Sequence, residues 1–91
     1  MFKKGTKKDT IRFSLKPGSS ITKVEIAGDF NEWVPTLMKK QKGGEFALIL
    51  NIQPGTYEYK FIVDGDWQVD PDHSAWALNP FGTLNSVIQV E

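Results

Sequence analysis

An all-β fold, an antiparallel immunoglobulin-like sandwich of six to eight short strands, is what this sequence predicts. Apolar and polar residues alternate in several short runs, and turn-forming Gly, Pro, Asn and Asp separate these runs at close spacing. No segment combines a 3.6-residue apolar period with helix caps, so no helix is predicted. The 91 residues have room for one domain, and the absence of cysteine excludes the inter-sheet disulfide of antibody domains.

Five runs of alternating residues are the predicted strands with the clearest pattern. Residues 56–63 form the strongest, because aromatic and β-branched residues alternate there and place Tyr59 and Phe61 on the core side. The last run, residues 85–90, places Ile88 and Val90 together on one face. In chain order the five runs are residues 9–15, 22–27, 46–52, 56–63 and 85–90.

A tight turn at Asp64-Gly65 sets the register of one hairpin. This dipeptide predicts a two-residue loop, in which Val63 pairs with Asp66 and Ile62 with Trp67. Directly paired residues share a face of the sheet. We therefore expect Trp67 on the outer face, beside Ile62 and opposite to the core face.

A second hairpin turns near Gly43-Gly44, and its register is open to two interpretations. A two-residue loop would turn Met38 outward, whereas a three-residue loop over residues 42–44 places Met38 opposite Leu48, facing the core. A slip of one residue exchanges the two faces of a strand. We favour the three-residue loop, because it buries Met38.

Charge divides the chain into two parts. Lysine and arginine balance aspartate and glutamate at 11 each, which does not favour nucleic-acid binding. The basic residues 1–8 are interpreted as a flexible N-terminal segment, or alternatively as a contact arm for an acidic partner, ahead of a single domain at residues 9–91.

No apolar run is long enough to span a membrane, so a soluble cytoplasmic protein without membrane contact is expected.

The acidic residues Asp64, Asp66, Asp70 and Asp72 could suggest a glycosidase carboxylate pair or a calcium site. A small sandwich has little room for a catalytic cleft, and the run lacks the spacing of an EF-hand loop. We expect turn residues on a solvated surface instead, and we interpret His73 as a loop histidine. No nucleophile–base pair is apparent, so neither catalysis nor a cofactor is predicted.

Trp33 and Trp67 are the more informative residues. An exposed indole is a flat apolar surface on which the C–H face of a pyranose can stack. Lys60 falls on the predicted face of Trp67, and Asn85 begins the last strand. Both tryptophans could equally be half-buried hydrophobic residues at the rim of the sandwich. Composition and spacing alone leave both interpretations open.

Four motifs follow one another along the chain: residues 28–33 (Gly-Asp-Phe-Asn-Glu-Trp), residues 54–67, Asp70-Pro71 and residues 82–90. In this order they resemble carbohydrate-binding module family 48, which contains the glycogen-binding domain of the AMP-activated protein kinase beta subunit. The resemblance extends over about residues 10 to 91.

This resemblance implies an early-set immunoglobulin-like sandwich that binds an α-1,4-linked glucan without catalysis. In such modules the two tryptophans stack on glucose, the lysine and the loop residues contact hydroxyls, and a bulky apolar residue reaches over the ring. The implied carbohydrate-binding residues are Trp33, Lys60, Trp67, Phe81, Thr83 and Asn85. The implied partners are glycogen, starch-like glucan or maltooligosaccharide, together with a glycogen-metabolising enzyme or a kinase-like protein. The alternative is a protein-interaction module that uses the same fold and exposed aromatics to dock on an enzyme or regulatory partner.

Two residues depart from the family pattern. Phe81 stands where the kinase-type modules have leucine, which retains a bulky apolar side chain but changes the shape of the loop. Trp76 has no counterpart there and is either a third sugar platform or a local core plug. We favour the core plug.

Overall fold

The described part of the chain forms two antiparallel sheets that pack into the predicted sandwich. The computed structural model describes residues 10–18, 20–71 and 75–90, and the backbone of residues 2–4. Within these ranges there are ten strands and no α-helix. The strands are β1 (Phe2–Lys4), β2 (Thr10–Leu15), β3 (Val24–Gly28), β4 (Thr36–Leu37), β5 (Lys39–Lys40), β6 (Phe46–Asn51), β7 (Gly55–Val63), β8 (Asp66–Gln68), β9 (Trp76–Leu78) and β10 (Leu84–Val90).

The chain passes between the two sheets at Met38. The first sheet has the strand order β1-β2-β6-β5, and the second has β4-β3-β7-β10-β9, with β8 also paired to β7. Strands β4 and β5 are separated only by Met38 yet belong to different sheets. The amide of Met38 donates to the carbonyl of Val24 at 2.9 Å, which fixes the point of crossing.

The core lies between the sheets, where the inward residues of β2, β3, β7 and β10 meet. Tyr59 is at its centre: its ring contacts Phe13 edge to face at 5.3 Å and Phe61 at 5.8 Å between centroids. The alternation predicted for these strands is confirmed. The large hydrophobic residues with no exposed surface are Phe13, Val24, Ile26, Tyr59, Phe61 and Ile88.

The hairpin at Asp64-Gly65 has the predicted register. Val63 pairs with Asp66 and Ile62 with Trp67. Asp64 and Gly65 both have positive φ, at 46° and 89°, as a two-residue type I′ loop requires.

The register of the second hairpin is also confirmed. Lys39 pairs with Ala47 and Lys40 with Phe46, which corresponds to a three-residue loop over residues 42–44. The side chain of Met38 is accordingly buried, with 2% of its surface exposed.

The described residues form ten strands rather than the six to eight expected. The additional strands are only two or three residues long, which is why the sequence did not predict them. So short a strand shows no alternation, and its pairing depends on the neighbouring strand. One of them, β1, lies in the segment expected to be flexible: Phe2 to Lys4 pair antiparallel with β2. Residues 5–8 lie outside the described residues.

The expectation that the acidic residues lie on the surface is wrong for Asp70, which has no exposed surface. The hydroxyl of Tyr59 donates to Oδ2 of Asp70 at 2.8 Å, and the amide of Asp70 donates to Oγ of Ser86 at 2.7 Å. Burial, and secondarily the Asp70 carboxylate, raises the pKa of Tyr59 far above its ordinary value. Asp64 and Asp66 are exposed as expected, Asp64 in the turn and Asp66 as the first residue of β8. Asp72 and His73 lie outside the described residues.

The favoured interpretation of Trp76 as a core plug is wrong, because 52% of its surface is exposed. Trp76 pairs with the inward-facing Ser86, so it lies on the core-side face of the edge strand β9. Among the residues that the structure describes, no helix is long and apolar enough to cross a membrane.

Candidate functional site

A groove of about 550 Å³ crosses the outer face of the second sheet. Its floor comes from β7 and β10, whose outward residues alternate with the core residues Tyr59 and Ile88. The structure brings all six candidate residues to this groove: Trp33, Lys60, Trp67, Phe81, Thr83 and Asn85. Sequence reasoning missed five other lining residues: Asp29, Glu58, Leu78, Asn79 and Pro80.

The loop after β3 carries Trp33 in an uncommon backbone conformation. Glu32 and Trp33 have φ of 58° and 59°, in the left-handed region that costs roughly 1–2 kcal/mol per residue without glycine. Hydrogen bonds compensate: the amide of Trp33 donates to the carbonyl of Gly28 at 2.9 Å, and the amide of Gly28 donates to Oδ1 of Asn31 at 2.9 Å. The Asn31 side chain also donates to the carbonyl of Ile26. The loop therefore presents Trp33 from a hydrogen-bonded frame.

Gly28 lets this loop lie close to β7. A Cβ atom at this position would come within 2.7 Å of both the carbonyl oxygen of Glu58 and the Cβ of Tyr59. Glycine is required here by close approach, since its backbone is extended.

Asp29 connects the Trp33 indole to the sheet. Its Oδ1 accepts a hydrogen bond from Nε1 of Trp33 at 2.8 Å, and its Oδ2 accepts one from the amide of Glu58 at 2.8 Å. In the sequence, Asp29 is only a carboxylate four residues before Trp33. This spacing alone does not show that the carboxylate accepts a hydrogen bond from the indole.

Trp67 approaches the groove from the other side, on β8. Half of its surface is exposed, while its direct cross-strand partner Ile62 is only 4% exposed. The indole therefore rests on the outer face of the sheet, as the hairpin register predicted. Its exposed part lines the groove.

Lys60 and the hairpin between β9 and β10 meet above the floor of the groove. Nζ of Lys60 donates to Oγ1 of Thr83 at 3.1 Å. Asn85 is 6% exposed, and its Nδ2 donates to Oε1 of Glu58 at 3.0 Å. Asn85 thus belongs to the floor, whereas Phe81, 91% exposed, stands at the rim.

The groove combines apolar surfaces with a few polar groups. Its charged lining residues are the carboxylates of Asp29 and Glu58 and the ammonium of Lys60. This composition suits a ligand with alternating apolar and hydroxyl-bearing surfaces, such as a sugar chain, better than a strongly charged one.

Residues 8–91 match the sequence model of the family described as the glycogen recognition site of AMP-activated protein kinase. The chain belongs to this family. The match covers nearly the whole chain and all of the groove-lining residues. Domains of this family are carbohydrate-binding modules, which are non-catalytic.

Relatives in animals and plants carry the same module. The 5'-AMP-activated protein kinase subunit beta-1 of Sus scrofa is 37% identical over 68 residues, which cover 75% of this chain and 54% of that protein. Protein PTST homolog 2, chloroplastic, of Arabidopsis thaliana is 48% identical over 54 residues, or 58% of this chain and 10% of that protein. The chain thus spans about half of the porcine relative and a tenth of the plant one.

A solved structure has the same fold. The crystal structure of maltogenic amylase from S. marinus superposes with a TM-score of 0.76, covering 90% of this chain and 13% of the amylase. At 18% sequence identity this similarity concerns the fold alone.

Proposed function

We propose that this module binds α-1,4-linked glucan, as glycogen, starch-like chains or maltooligosaccharide, without breaking a bond. The observation that carries the proposal is that the indoles of Trp33 and Trp67 face the same groove as the ammonium of Lys60. A glucan chain offers an apolar C–H face to each indole and hydroxyls to the polar groups between them.

Each groove residue has a distinct role in this proposal. Trp33 and Trp67 stack on glucose rings, and Phe81 at the rim reaches over a further ring. Lys60, Thr83 and Asn85 form hydrogen bonds with hydroxyl groups, Asn85 from its position in the floor. Asp29 and Asn79 do not contact the sugar in this proposal. Asp29 accepts a hydrogen bond from the Trp33 indole, and Asn79 donates one to the Thr83 hydroxyl.

The size of the groove suits a short stretch of chain. Its volume of about 550 Å³ lies within the range of roughly 300–1,000 Å³ that is usual for small-ligand sites. One such shallow site binds weakly, and a polymer strengthens retention because it offers many equivalent stretches.

The wider setting of the module is also a proposal. We propose that the module docks on a glycogen-metabolising enzyme or a kinase-like partner. The animal relatives are named as subunits of a protein kinase, which supports a kinase-like partner. A cytoplasmic location remains our prediction for this chain, while the name of the Arabidopsis thaliana relative places that protein in the chloroplast.

A protein-docking function is the second candidate, and the exposed rim favours it. Phe81 and Leu78 are 91% and 72% exposed, and large apolar side chains of this kind also anchor protein interfaces. The two functions differ in their response to free sugar, because only glucan binding predicts a response to an oligosaccharide.

Affinity electrophoresis tests the proposal directly. The wild-type chain and Trp67→Ala are run through native gels with and without glycogen, and tryptophan fluorescence is followed during titration with maltoheptaose or β-cyclodextrin. We expect glycogen to retard the wild-type chain and to retard Trp67→Ala much less. Equal mobility in both gels, with no fluorescence change at high sugar concentration, would overturn the proposal in favour of a protein partner.

A further inference from the structure

The side chain of Asn79 forms four hydrogen bonds within the hairpin that joins β9 and β10. Its Oδ1 accepts from the amides of Phe81 at 3.0 Å and Thr83 at 3.1 Å. Its Nδ2 donates to Oγ1 of Thr83 at 2.7 Å and to Oδ1 of Asn85 at 3.1 Å. The two backbone amides require an acceptor, so they define which end of the Asn79 amide is the oxygen.

Phe81 depends on the backbone of this loop for its position. With 91% of its surface exposed, the ring has little packing that could hold it over the groove. The backbone supplies further restraint: the amide of Gly82 donates to the carbonyl of Asn79 at 3.1 Å, and the amide of Asn79 donates to the carbonyl of Thr83 at 2.8 Å. The Asn79 side chain accepts hydrogen bonds from the two remaining amides of the loop, those of Phe81 and Thr83.

The Thr83 hydroxyl is oriented by the same contacts. Its oxygen accepts hydrogen bonds from Nδ2 of Asn79 and from Nζ of Lys60. A hydroxyl has two acceptor positions and one donor proton. With both acceptor positions occupied, the proton is directed away from both partners.

We propose that Asn79 is a positioning residue of the groove: its amide holds the loop that presents Phe81 and turns the Thr83 hydroxyl into a hydrogen-bond donor toward a glucan oxygen. This inference rests on the proposed function and adds a mechanism to it. A loop that is ordered before binding does not lose conformational freedom on binding, so the affinity is higher.

Two substitutions separate the two parts of the role. Asn79→Ala removes all four hydrogen bonds, and we expect an affinity for β-cyclodextrin lower by about tenfold through loss of preorganisation. Asn79→Asp keeps the acceptor oxygen for the amides of Phe81 and Thr83 but replaces the NH₂ donor. The Thr83 proton would then turn toward the introduced carboxylate, so we expect an ordered loop with an intermediate affinity.

Hydrogen exchange and a double-mutant cycle distinguish positioning from a general effect on stability. The amide protons of Phe81 and Thr83 should exchange faster in Asn79→Ala and stay protected in Asn79→Asp. If Asn79 acts through Phe81, its replacement should cost less affinity in a Phe81→Ala background than in the wild type. Asn51→Ala, which removes an exposed amide from the first sheet, is the matched control and should bind as the wild type does.

The outcomes separate this inference from the proposed function. If the wild type binds β-cyclodextrin, Trp67→Ala binds weakly and Asn79→Ala binds normally, the inference fails and glucan binding stands. An equal loss from Asn79→Ala in the wild-type and Phe81→Ala backgrounds would overturn the role that the inference gives to Phe81. If neither the wild type nor any variant responds to the sugar, the proposed function itself fails.

Discussion

The indole Nε1 of Trp33 donates a 2.8 Å hydrogen bond to the carboxylate of Asp29, whose other oxygen accepts from the amide of Glu58. One carboxylate therefore fixes the plane of an aromatic side chain relative to strand β7. The hydrogen bond from Glu58 to Asp29 joins residues 29 positions apart in the chain. A ligand that stacks on Trp33 would find the ring already oriented.

Asp29→Ala is expected to weaken glucan binding while the chain remains folded. The loss of one charged hydrogen bond to the indole should lower affinity by about 1–2 kcal/mol. Isothermal titration with maltoheptaose measures the change. Asp29→Asn keeps one acceptor oxygen, so its affinity for maltoheptaose should lie between those of the wild type and Asp29→Ala. Unchanged affinity in Asp29→Ala would show that the orientation of Trp33 does not matter.

Trp67→Ala and Trp76→Ala form a matched pair, because the two side chains are similarly exposed, at 50% and 52%. Trp67 lines the groove, whereas Trp76 lies on the opposite face of the second sheet. Loss of the Trp67 plate should cost on the order of 1–3 kcal/mol of binding, by analogy with aromatic stacking on bases. Trp76→Ala should bind normally in the same titration. Equal losses would contradict the assignment of the binding face.

Tyr59→Ala is expected to destabilise the fold by about 3 kcal/mol or more, since it empties the space of a fully buried ring. Tyr59→Phe keeps the ring and removes the hydroxyl that donates to Asp70. Tyr59→Phe should lower the free energy of unfolding by about 1–2 kcal/mol, chiefly because the buried carboxylate of Asp70 loses a hydrogen-bond donor. Chemical denaturation measures both variants. A neutral effect of Tyr59→Ala would contradict its place in the core.

Asp64 should make stability depend on acidity. Desolvation acts to raise the pKa of its carboxyl, but hydrogen bonds from Thr22 and Lys23 outweigh it and lower the pKa below the ordinary 3.8. A lowered folded-state pKa contributes stability above the unfolded value, and this contribution is lost as the pH falls through the folded value.

Thermal melts of the wild type and Asp64→Asn test this dependence. The wild type should be the more stable of the two at about pH 6, and the difference should shrink toward about pH 3. Asp66→Asn, an exposed carboxylate two residues away at the start of β8, is the control. A difference that grows on acidification would reverse the sign of the argument.

Deleting residues 1–8 should leave glucan affinity nearly unchanged. The deletion removes β1 from the first sheet, whereas the groove lies on the second. A fall in melting temperature is expected, because β2 loses a paired neighbour. Affinity should also change little between about 50 and 300 mM salt, because hydrogen bonds to neutral hydroxyls are not ion pairs. A several-fold loss on truncation, or a steep salt dependence, would point to an acidic partner.

The strands with clear alternation and the two hairpin registers were predictable, because the signals for them are local. Asp64-Gly65 specifies a two-residue loop, and the register then places Trp67 outside without knowledge of any other strand. Four of the six candidate residues were noticed from their own chemistry and position in the sequence, namely Trp33, Lys60, Trp67 and Asn85. Phe81 and Thr83 came from the family resemblance alone. The roles of all six stay predictions until binding is measured.

Small polar residues were the main failure of sequence reasoning. Asp70 reads as a surface residue, yet Tyr59 and Ser86 supply the partners that allow its burial. No role was predicted for Asn79 from the sequence, yet its Oδ1 accepts hydrogen bonds from the amides of Phe81 and Thr83. Such roles depend on partners rather than on residue type.

Alternation along β2, β3 and β7 was enough to determine the sandwich and its core, because the face of each residue in a strand follows from its position in the run. The groove required the tertiary structure. The contacts of Glu58 with Asp29 and Asn85 join residues 29 and 27 positions apart. They exist because β3, which leads into the loop of Asp29, and β10, which carries Asn85, both pair with β7. Side-chain hydrogen bonds need atoms placed to within a few tenths of an ångström, and no local pattern encodes that placement.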